Sequence, residues 1–126
     1  KEIGSSLDST SFEVGDYSYD SGFRAIQKLL KKDKVPDAVC CFNDDMAIGA
    51  MGAIREVGLE MPIHIAVTGF DGSFAAAYAY PPLTTVHRPV DKMAQMGIDA
   101  LLQTIQGDDV IQHISLDPEL VIRKSS

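Results

Sequence analysis

The sequence contains no set of side chains with the type and spacing of a known catalytic or metal-binding motif. Its three histidines, His64, His87 and His113, lie far apart, and no two have the i, i+4 spacing of a helical metal site. No serine lies in a Gly-x-Ser-x-Gly turn, and the adjacent Cys40 and Cys41 lack the second cysteine pair of a zinc site. We therefore predict no enzymatic activity, no catalytic residue, no metal and no cofactor. Both cysteines are expected to be reduced and buried.

A different chemistry is indicated at the ends of three predicted strands. The strands cover residues 13–17, 38–42 and 63–70, and the side chains at their carboxyl ends are Tyr17, Asn43 and Asp71. Ligands of open parallel sheets bind beyond this edge. An aromatic ring stacks on the C–H faces of a sugar, an amide donates and accepts hydrogen bonds, and a carboxylate accepts two hydroxyl groups. The positions therefore predict a site for a polyhydroxylated ligand. The alternative is that the three residues only form turns and helix caps.

The elements that would position these residues alternate between strand and helix periodicity. Apolar residues recur at helical spacing after the first and second strands, and short connections between strand and helix imply parallel strand pairing. The fold class is therefore α/β, with an open parallel sheet flanked by helices. The helices are predicted over 18–32, 45–57, 73–80 and 89–106, and further strands over 83–87, 110–116 and 119–123.

The helix over 45–57 carries more apolar side chains than one buried face requires. Ile48 and Met51 fall opposite its inward stripe, and Tyr78 and Tyr80 add apolar area in the next loop. Either another layer of the chain or a partner subunit must cover them. We predict a dimer interface at these four residues. Gly49 is expected to mark close packing between helices.

Charge argues against direct contact with nucleic acid. The 126 residues have a formal net charge of −7, and the one lysine cluster, over 28–34, lies at a predicted helix end, where it is expected to be solvated. No apolar run approaches the roughly 18 residues of a membrane-spanning helix. Because the sequence opens without an initiator methionine, we expect it to be a piece of a longer protein.

Several motifs in order resemble the lactose/galactose-repressor (LacI/GalR) family. They span about residues 14–125 and read PDAV, NDxMAxGA, AIRExGLxxP, IAVxGFD, PLTTV and LVxRxS. The resemblance implies a fold similar to that of periplasmic sugar-binding proteins, with two subdomains around an effector cleft. It implies a homodimeric regulator that binds a small effector, expected to be a sugar, and reaches DNA only through an N-terminal headpiece outside this chain. Neither a membrane partner nor a cofactor is implied, and the expected location is cytoplasmic.

The same resemblance divides the chain into three parts. Residues 1–88 would form the C-terminal subdomain, residues 89–107 a crossover helix of the N-terminal subdomain, and residues 108–126 returning strands of the C-terminal subdomain. The crossover helix would then present an apolar face without its natural neighbour. We expect that face to pack against another copy of the chain.

Residue by residue, the resemblance assigns Asn43 and Asp71 to the effector cleft. Tyr17 matches a position that is often aromatic, and Arg88 a polar crossover position that reaches the cleft. One departure is Gly72, where the family often has a second aspartate. A solute-binding protein of a transporter, built on the same fold, is the alternative function.

Overall fold

The computed structural model describes residues 12–107 and 113–126. Four helices and four strands alternate along these residues. The helices are α1 (Tyr19–Leu29), α2 (Asp44–Glu56), α3 (Phe74–Tyr78) and α4 (Val90–Gln106), and the strands are β1 (Ala38–Cys40), β2 (Ala66–Asp71), β3 (Thr84–His87) and β4 (Glu119–Val121). The predicted stretch 110–116 lies partly outside the described residues, and no strand occurs over 113–116.

The strands form one sheet in the order β1-β2-β3-β4. The first three strands are parallel, with Val39 opposite Val67 and Thr68 opposite Thr84, which confirms the predicted α/β alternation. Strand β4 pairs antiparallel with β3, so the sheet is mixed rather than wholly parallel. The chain leaves β3 at its carboxyl end to enter α4. It comes back to β3 with Glu119 opposite His87, so β4 runs away from that end.

Close backbone contact joins α1 to α2. A β-carbon at Gly49 would overlap the backbone oxygen of Tyr19, and one at Gly22 would overlap the backbone of Met46. Because both positions lack a side chain, the two helices approach more closely than any larger residue allows. The expected close packing at Gly49 is confirmed.

The core lies between the sheet and these two helices. It is a single cluster of buried apolar side chains, whose largest members are Ile26, Met51, Ile54, Ile65 and Leu83. Helix α2 contacts both β2 and α1, so it is covered on two sides. This explains why α2 carries more apolar side chains than a helix packed on one face.

The predicted strand over 13–17 is wrong. The backbone of Tyr17 has a φ of 68°, which is incompatible with an extended strand. Asp16 forms a turn instead, because its carboxylate accepts hydrogen bonds from the backbone N–H of Ser18 at 3.1 Å and the hydroxyl of Ser18 at 2.5 Å. These hydrogen bonds lower the pKa of Asp16 to about 2. Ser18 in turn caps α1 by accepting from the backbone N–H of Ser21.

Helix α4 contrasts with the rest of the fold because none of its residues is buried. Gly107 follows its last residue, and its φ of 88° gives the helix a left-handed C-terminal cap. The described part of the returning chain, at Ile114 and Leu116, shares an apolar groove with Met93 and Met96 of α4.

The end of the chain is inserted between β2 and β3. Ser125 is fully buried, and its hydroxyl donates to the carbonyl of Val67 at 2.6 Å and accepts from the N–H of Thr84 at 2.8 Å. The carbonyl of Ser125 accepts the N–H of Val67 at 2.7 Å. Ser125 therefore lies between the two strands on the amino-terminal side of the Thr68–Thr84 pair, where the β2–β3 pairing begins.

Candidate ligand-binding site

The carboxyl ends of β1, β2 and β3 lie at one edge of the sheet because the three strands are parallel. Asn43 follows β1, Asp71 ends β2, and Arg88 follows β3, so all three predicted residues lie at this edge. An open cleft of about 490 Å³ lies here between the sheet and the start of α4. Its lining residues are Asp71, Gly72, Ser73, His87, Arg88, Pro89, Val90, Asp91 and Lys92. Tyr17 and Asn43 are not among them.

Asn43 couples the turn at residues 16–18 to α2. Its Oδ1 accepts the N–H of Met46 at 2.9 Å, which makes Asn43 the N-cap of α2. Its Nδ2 donates to the carbonyl of Tyr17 at 2.9 Å. One N–H and one lone pair of the amide remain for a ligand after these bonds.

Tyr17 and Asp71 both have rare backbone conformations. They are the two residues other than glycine with positive φ in the described parts of the chain, at 68° and 119°. Such conformations cost free energy and are common at functional sites, where surrounding contacts hold them. Both residues belong to the predicted ligand set, so the backbone geometry points to the same edge of the sheet independently of their side-chain chemistry.

The structure pairs Asp71 with Arg88. The Oδ1 of Asp71 lies 2.7 Å from Nη2 of Arg88, and the N–H of Arg88 donates to the Asp71 carbonyl at 3.3 Å. The guanidinium also lies 5.9 Å from the ring centre of Phe70. Both charged side chains are partly exposed, so water weakens their attraction. A ligand hydroxyl could therefore replace one partner at small cost.

His87 occupies the space beside Gly72. A β-carbon at Gly72 would overlap Nδ1 of His87, and the φ of Gly72 is 71°. No side chain at position 72 is compatible with both constraints. The glycine that replaces the family's second aspartate is therefore accompanied by the imidazole of His87 in the cleft. Sequence reasoning did not include His87 in the site. The available signal was its position at the end of a predicted strand, next to Arg88.

A buried carboxylate lies directly behind this edge. Asp44 is 1% exposed, and its Oδ1 accepts the Thr85 hydroxyl at 2.5 Å while its Oδ2 accepts the N–H of Ser73 at 2.6 Å. Sequence reasoning did not include Asp44 among the candidate site residues. It missed the buried contacts because they depend on a residue 41 positions further along the chain.

The predicted interface residues divide into two groups. Met51 is fully buried in the core of its own chain, so its assignment to a dimer interface is wrong. Ile48 is half-buried and packs against that core. Tyr78 and Tyr80 are 74% and 80% exposed, and the ring of Tyr78 contacts Phe74 at a centroid distance of 4.6 Å.

No group of three or more potential metal ligands occurs within residues 12–107 and 113–126. Over the same residues, no helix combines the length and the apolar character needed to cross a bilayer.

This α/β architecture, with polar residues at the carboxyl edge of the strands, is that of a known family. The chain belongs to the periplasmic binding protein-like domain family, whose sequence model matches residues 4–126. It is similar to the HTH-type transcriptional repressor PurR of Actinobacillus pleuropneumoniae serotype 5b, strain L20, with 36% identity over 114 residues. It is likewise similar to the repressor MelR of Bacillus subtilis strain 168, with 36% identity over 112 residues. These matches confirm the resemblance to LacI-family repressors.

Solved structures give the same result. The chain matches the Escherichia coli transcriptional repressor ascG with a TM-score of 0.90 and 34% identity, over 98% of this chain and 45% of that one. A complex of the regulator CelR with cellobiose matches with a TM-score of 0.90 and 33% identity, over 98% and 38%. A dimeric Lac repressor matches with a TM-score of 0.85 and 39% identity, over 89% and 41%.

The sequence relatives are much longer than this chain. The match to PurR covers 88% of this chain and 34% of PurR, and the match to MelR covers 89% and 33%. The chain therefore spans about a third of the length of these repressors.

Proposed function

We propose that this chain is the C-terminal part of the effector-binding core of a LacI/GalR-family transcription regulator. In this proposal, a small polyhydroxylated effector, a sugar, binds at the sheet edge that carries Asn43 and Asp71. A helix-turn-helix headpiece outside this chain contacts DNA. The observation that carries the proposal is the placement of Asp71, whose carboxylate lines the cleft from a strained backbone position. The CelR–cellobiose complex, a structural relative, supports a sugar as the class of effector.

Each predicted site residue has a separate role in this proposal. Asp71 accepts hydroxyl groups of the effector, and Arg88 is released from Asp71 to donate to a second ligand oxygen. Asn43 uses its remaining N–H, and the exposed ring of Tyr17, whose backbone carbonyl accepts from Asn43, closes the far side of the site. Relatives named as repressors favour a regulator over the alternative of a transporter's solute-binding protein. A regulator of this kind acts in the cytoplasm.

The division into subdomains is part of the same proposal. Residues 1–88 belong to the C-terminal subdomain and residues 89–107 to a crossover helix of the other subdomain. The absence of any buried residue on α4 supports this division. The returning chain, however, shares a groove with α4 at Ile114 and Leu116 before it joins the sheet at Glu119. In this proposal residues 108–126 form the returning part of the C-terminal subdomain.

A homodimer is the proposed assembly. Tyr78 and Tyr80 supply exposed aromatic area, and Ile48 lies half-exposed on the neighbouring helix. The dimeric Lac repressor among the structural relatives supports a dimer. Two headpieces on one dimer would read the two half-sites of an operator.

The test is calorimetry on the full-length polypeptide with cellobiose, glucose and galactose as probes. Asp71→Ala removes two charge-assisted hydrogen bonds, together worth roughly 3 kcal/mol, so the affinity for the binding sugar should fall about a hundredfold. The matched control is Asp33→Ala, which removes the same charge from an exposed bend before β1. Unchanged affinity in Asp71→Ala would refute the proposed site.

A further inference from the structure

The carboxylate of Asp44 connects three elements at the candidate site. Asp44 is the first residue of α2, its Oδ1 accepts the hydroxyl of Thr85 in β3, and its Oδ2 accepts the N–H of Ser73 before α3. The two distances are 2.5 Å and 2.6 Å, which are short for hydrogen bonds of these types. With 1% of its surface exposed, the carboxylate depends on these donors in place of water.

The hydrogen-bond network continues from Asp44 through Thr85 to Gly72, in the loop of residues 71–73. The hydroxyl oxygen of Thr85 accepts the N–H of Gly72 at 3.3 Å while its proton goes to Asp44. The two consecutive amides that follow Asp71, those of Gly72 and Ser73, are therefore both held by the Asp44–Thr85 pair. Asp71 itself has a φ of 119°, a conformation that persists only where neighbouring contacts fix it.

Strand β2 is shaped to admit this carboxylate. A β-carbon at Gly69 would overlap Oδ1 of Asp44, so only glycine leaves room for the side chain. Gly69 lies two residues before Asp71 on the same strand. The Asp44 carboxylate thus contacts β2 at Gly69, before Asp71, and the loop at Ser73, after Asp71.

We propose that Asp44 is a positioning residue for ligand binding. It fixes the 71–73 loop in the conformation that presents the Asp71 carboxylate to the cleft, and it starts the helix whose cap is Asn43. The inference rests on the proposed ligand site at Asp71. Asp44 itself does not contact the ligand because it is buried behind the edge. A negative charge at the start of α2 also interacts favourably with the helix dipole.

The test separates positioning from general stability by comparing Asp44 with Ser125. Ser125 is also fully buried, but it hydrogen-bonds Val67 of β2 and Thr84 of β3 rather than the 71–73 loop. In the full-length polypeptide, we would compare Asp44→Asn with Ser125→Ala. Amide hydrogen exchange would be followed at Gly72, Ser73 and Thr84, and binding of cellobiose, glucose and galactose by calorimetry at a temperature where both variants are folded.

Asp44→Asn should raise the exchange rates of the Gly72 and Ser73 amides about tenfold, the loss expected when one hydrogen bond is removed. It should also weaken sugar binding about tenfold. Ser125→Ala should raise exchange at Thr84 and leave sugar affinity unchanged, even where its melting temperature falls as far. Equal exchange at Gly72 and Ser73 in wild type and Asp44→Asn would overturn the inference, whether or not any of the three sugars binds.

Thr85 variants decide the question if Asp44→Asn does not fold. Thr85→Val keeps the side-chain shape and removes the hydroxyl, so it should speed exchange at Gly72 and lower affinity. Thr85→Ser keeps the hydroxyl and should restore both. If Thr85→Val matches the wild type in both measurements, the positioning role is wrong. If Asp71→Ala also leaves binding intact, the ligand site itself is wrong, so the two failures are distinguishable.

Discussion

Similar apolar side chains lie in very different surroundings in two regions of the molecule. One region is the sheet with α1 and α2, and the other is helix α4. Leu83, just before β3, is fully buried, whereas Leu101 and Ile105 of α4 are 60% and 73% exposed. Helix α4 is nevertheless amphipathic in sequence, with apolar residues at helical spacing. The difference shows that hydrophobic periodicity specifies a helix and a face, but not which partner covers that face.

The same comparison separates local from tertiary contributions to order. Helix α2 is held by glycine contacts with α1 and by the core, so its position depends on atoms far away in the sequence. Helix α4 depends on its own backbone hydrogen bonds and its terminal cap, together with the groove that it shares with residues 114 and 116. A substitution that strongly lowers the free energy of unfolding in α2 should therefore have only a small effect in α4.

The largest expected effect comes from adding one methyl group to a glycine in each helix. In α2, Gly49→Ala places its β-carbon on the Tyr19 carbonyl, so α1 must shift. The free energy of unfolding should fall by about 3 kcal/mol. In α4, a β-carbon at Gly97 would meet no atom of the described residues within 4 Å. Gly97→Ala should therefore raise stability by about 0.5–1 kcal/mol through helix propensity.

Urea unfolding of the 126-residue chain measures the free energy of unfolding of both variants. The contrast would be broken if Gly97→Ala destabilised the chain as much as Gly49→Ala. That outcome would mean that α4 is closely packed in solution.

An intermediate effect is expected from the exposed face of α4. If a second copy of the chain covers Leu101 and Ile105, association stabilises the folded state by mass action. The melting temperature should then fall by several degrees over a hundredfold dilution, since about 1 kcal/mol shifts a domain of this size by a few degrees. Leu101→Gln should abolish this dependence. Differential scanning fluorimetry over the dilution series measures it, and a melting temperature independent of concentration would contradict the expected packing.

The smallest effect concerns two neighbouring thiols and leaves stability unchanged. Cys40 is exposed on the edge strand β1, contrary to the expectation that both cysteines are buried, whereas Cys41 packs against the core. Burial, with a smaller contribution from Cys40, raises the pKa of Cys41 to about 12. Because the thiolate is the reactive form, iodoacetamide at pH 8 should modify Cys40 and spare Cys41.

Cys41 should become reactive as the pH rises toward 12 or when urea unfolds the chain. Peptide mass spectrometry distinguishes the two sites. Equal labelling of both thiols in the folded chain at pH 8 would contradict the difference in burial.

The sequence predicted those elements whose residues carry a local signal. Asn43 and Ser73 cap their helices as short polar side chains do, and Gly107 ends α4. The parallel pairing of β1 with β2 followed from the short strand–helix connections. The strand predicted over 13–17 does not form because the hydrogen bonds of the Asp16–Ser18 turn outweigh a weak alternation of apolar residues.

The site was partly predictable for the same reason. Strand ends marked Asn43 and Asp71, but Tyr17 reached the edge through a turn and a hydrogen bond to Asn43. Met51 was misassigned because the helix and sheet that cover α2 come from distant parts of the chain. The buried contact of Asp44 was missed because its partner, Thr85, is equally distant. Periodicity in one helix carries no information about such contacts.

The insertion of Ser125 between β2 and β3 has a mechanical consequence. One residue makes two hydrogen bonds to Val67 and one to Thr84, and all three join the tail to the two central strands. A pulling force applied at Ser126 is therefore transmitted to the amino ends of β2 and β3 before it reaches the outer helices. The bonds share the load and must break nearly together, so the segment at Ser125 resists extraction. A tether attached there would strain the sheet at the end opposite the candidate ligand site.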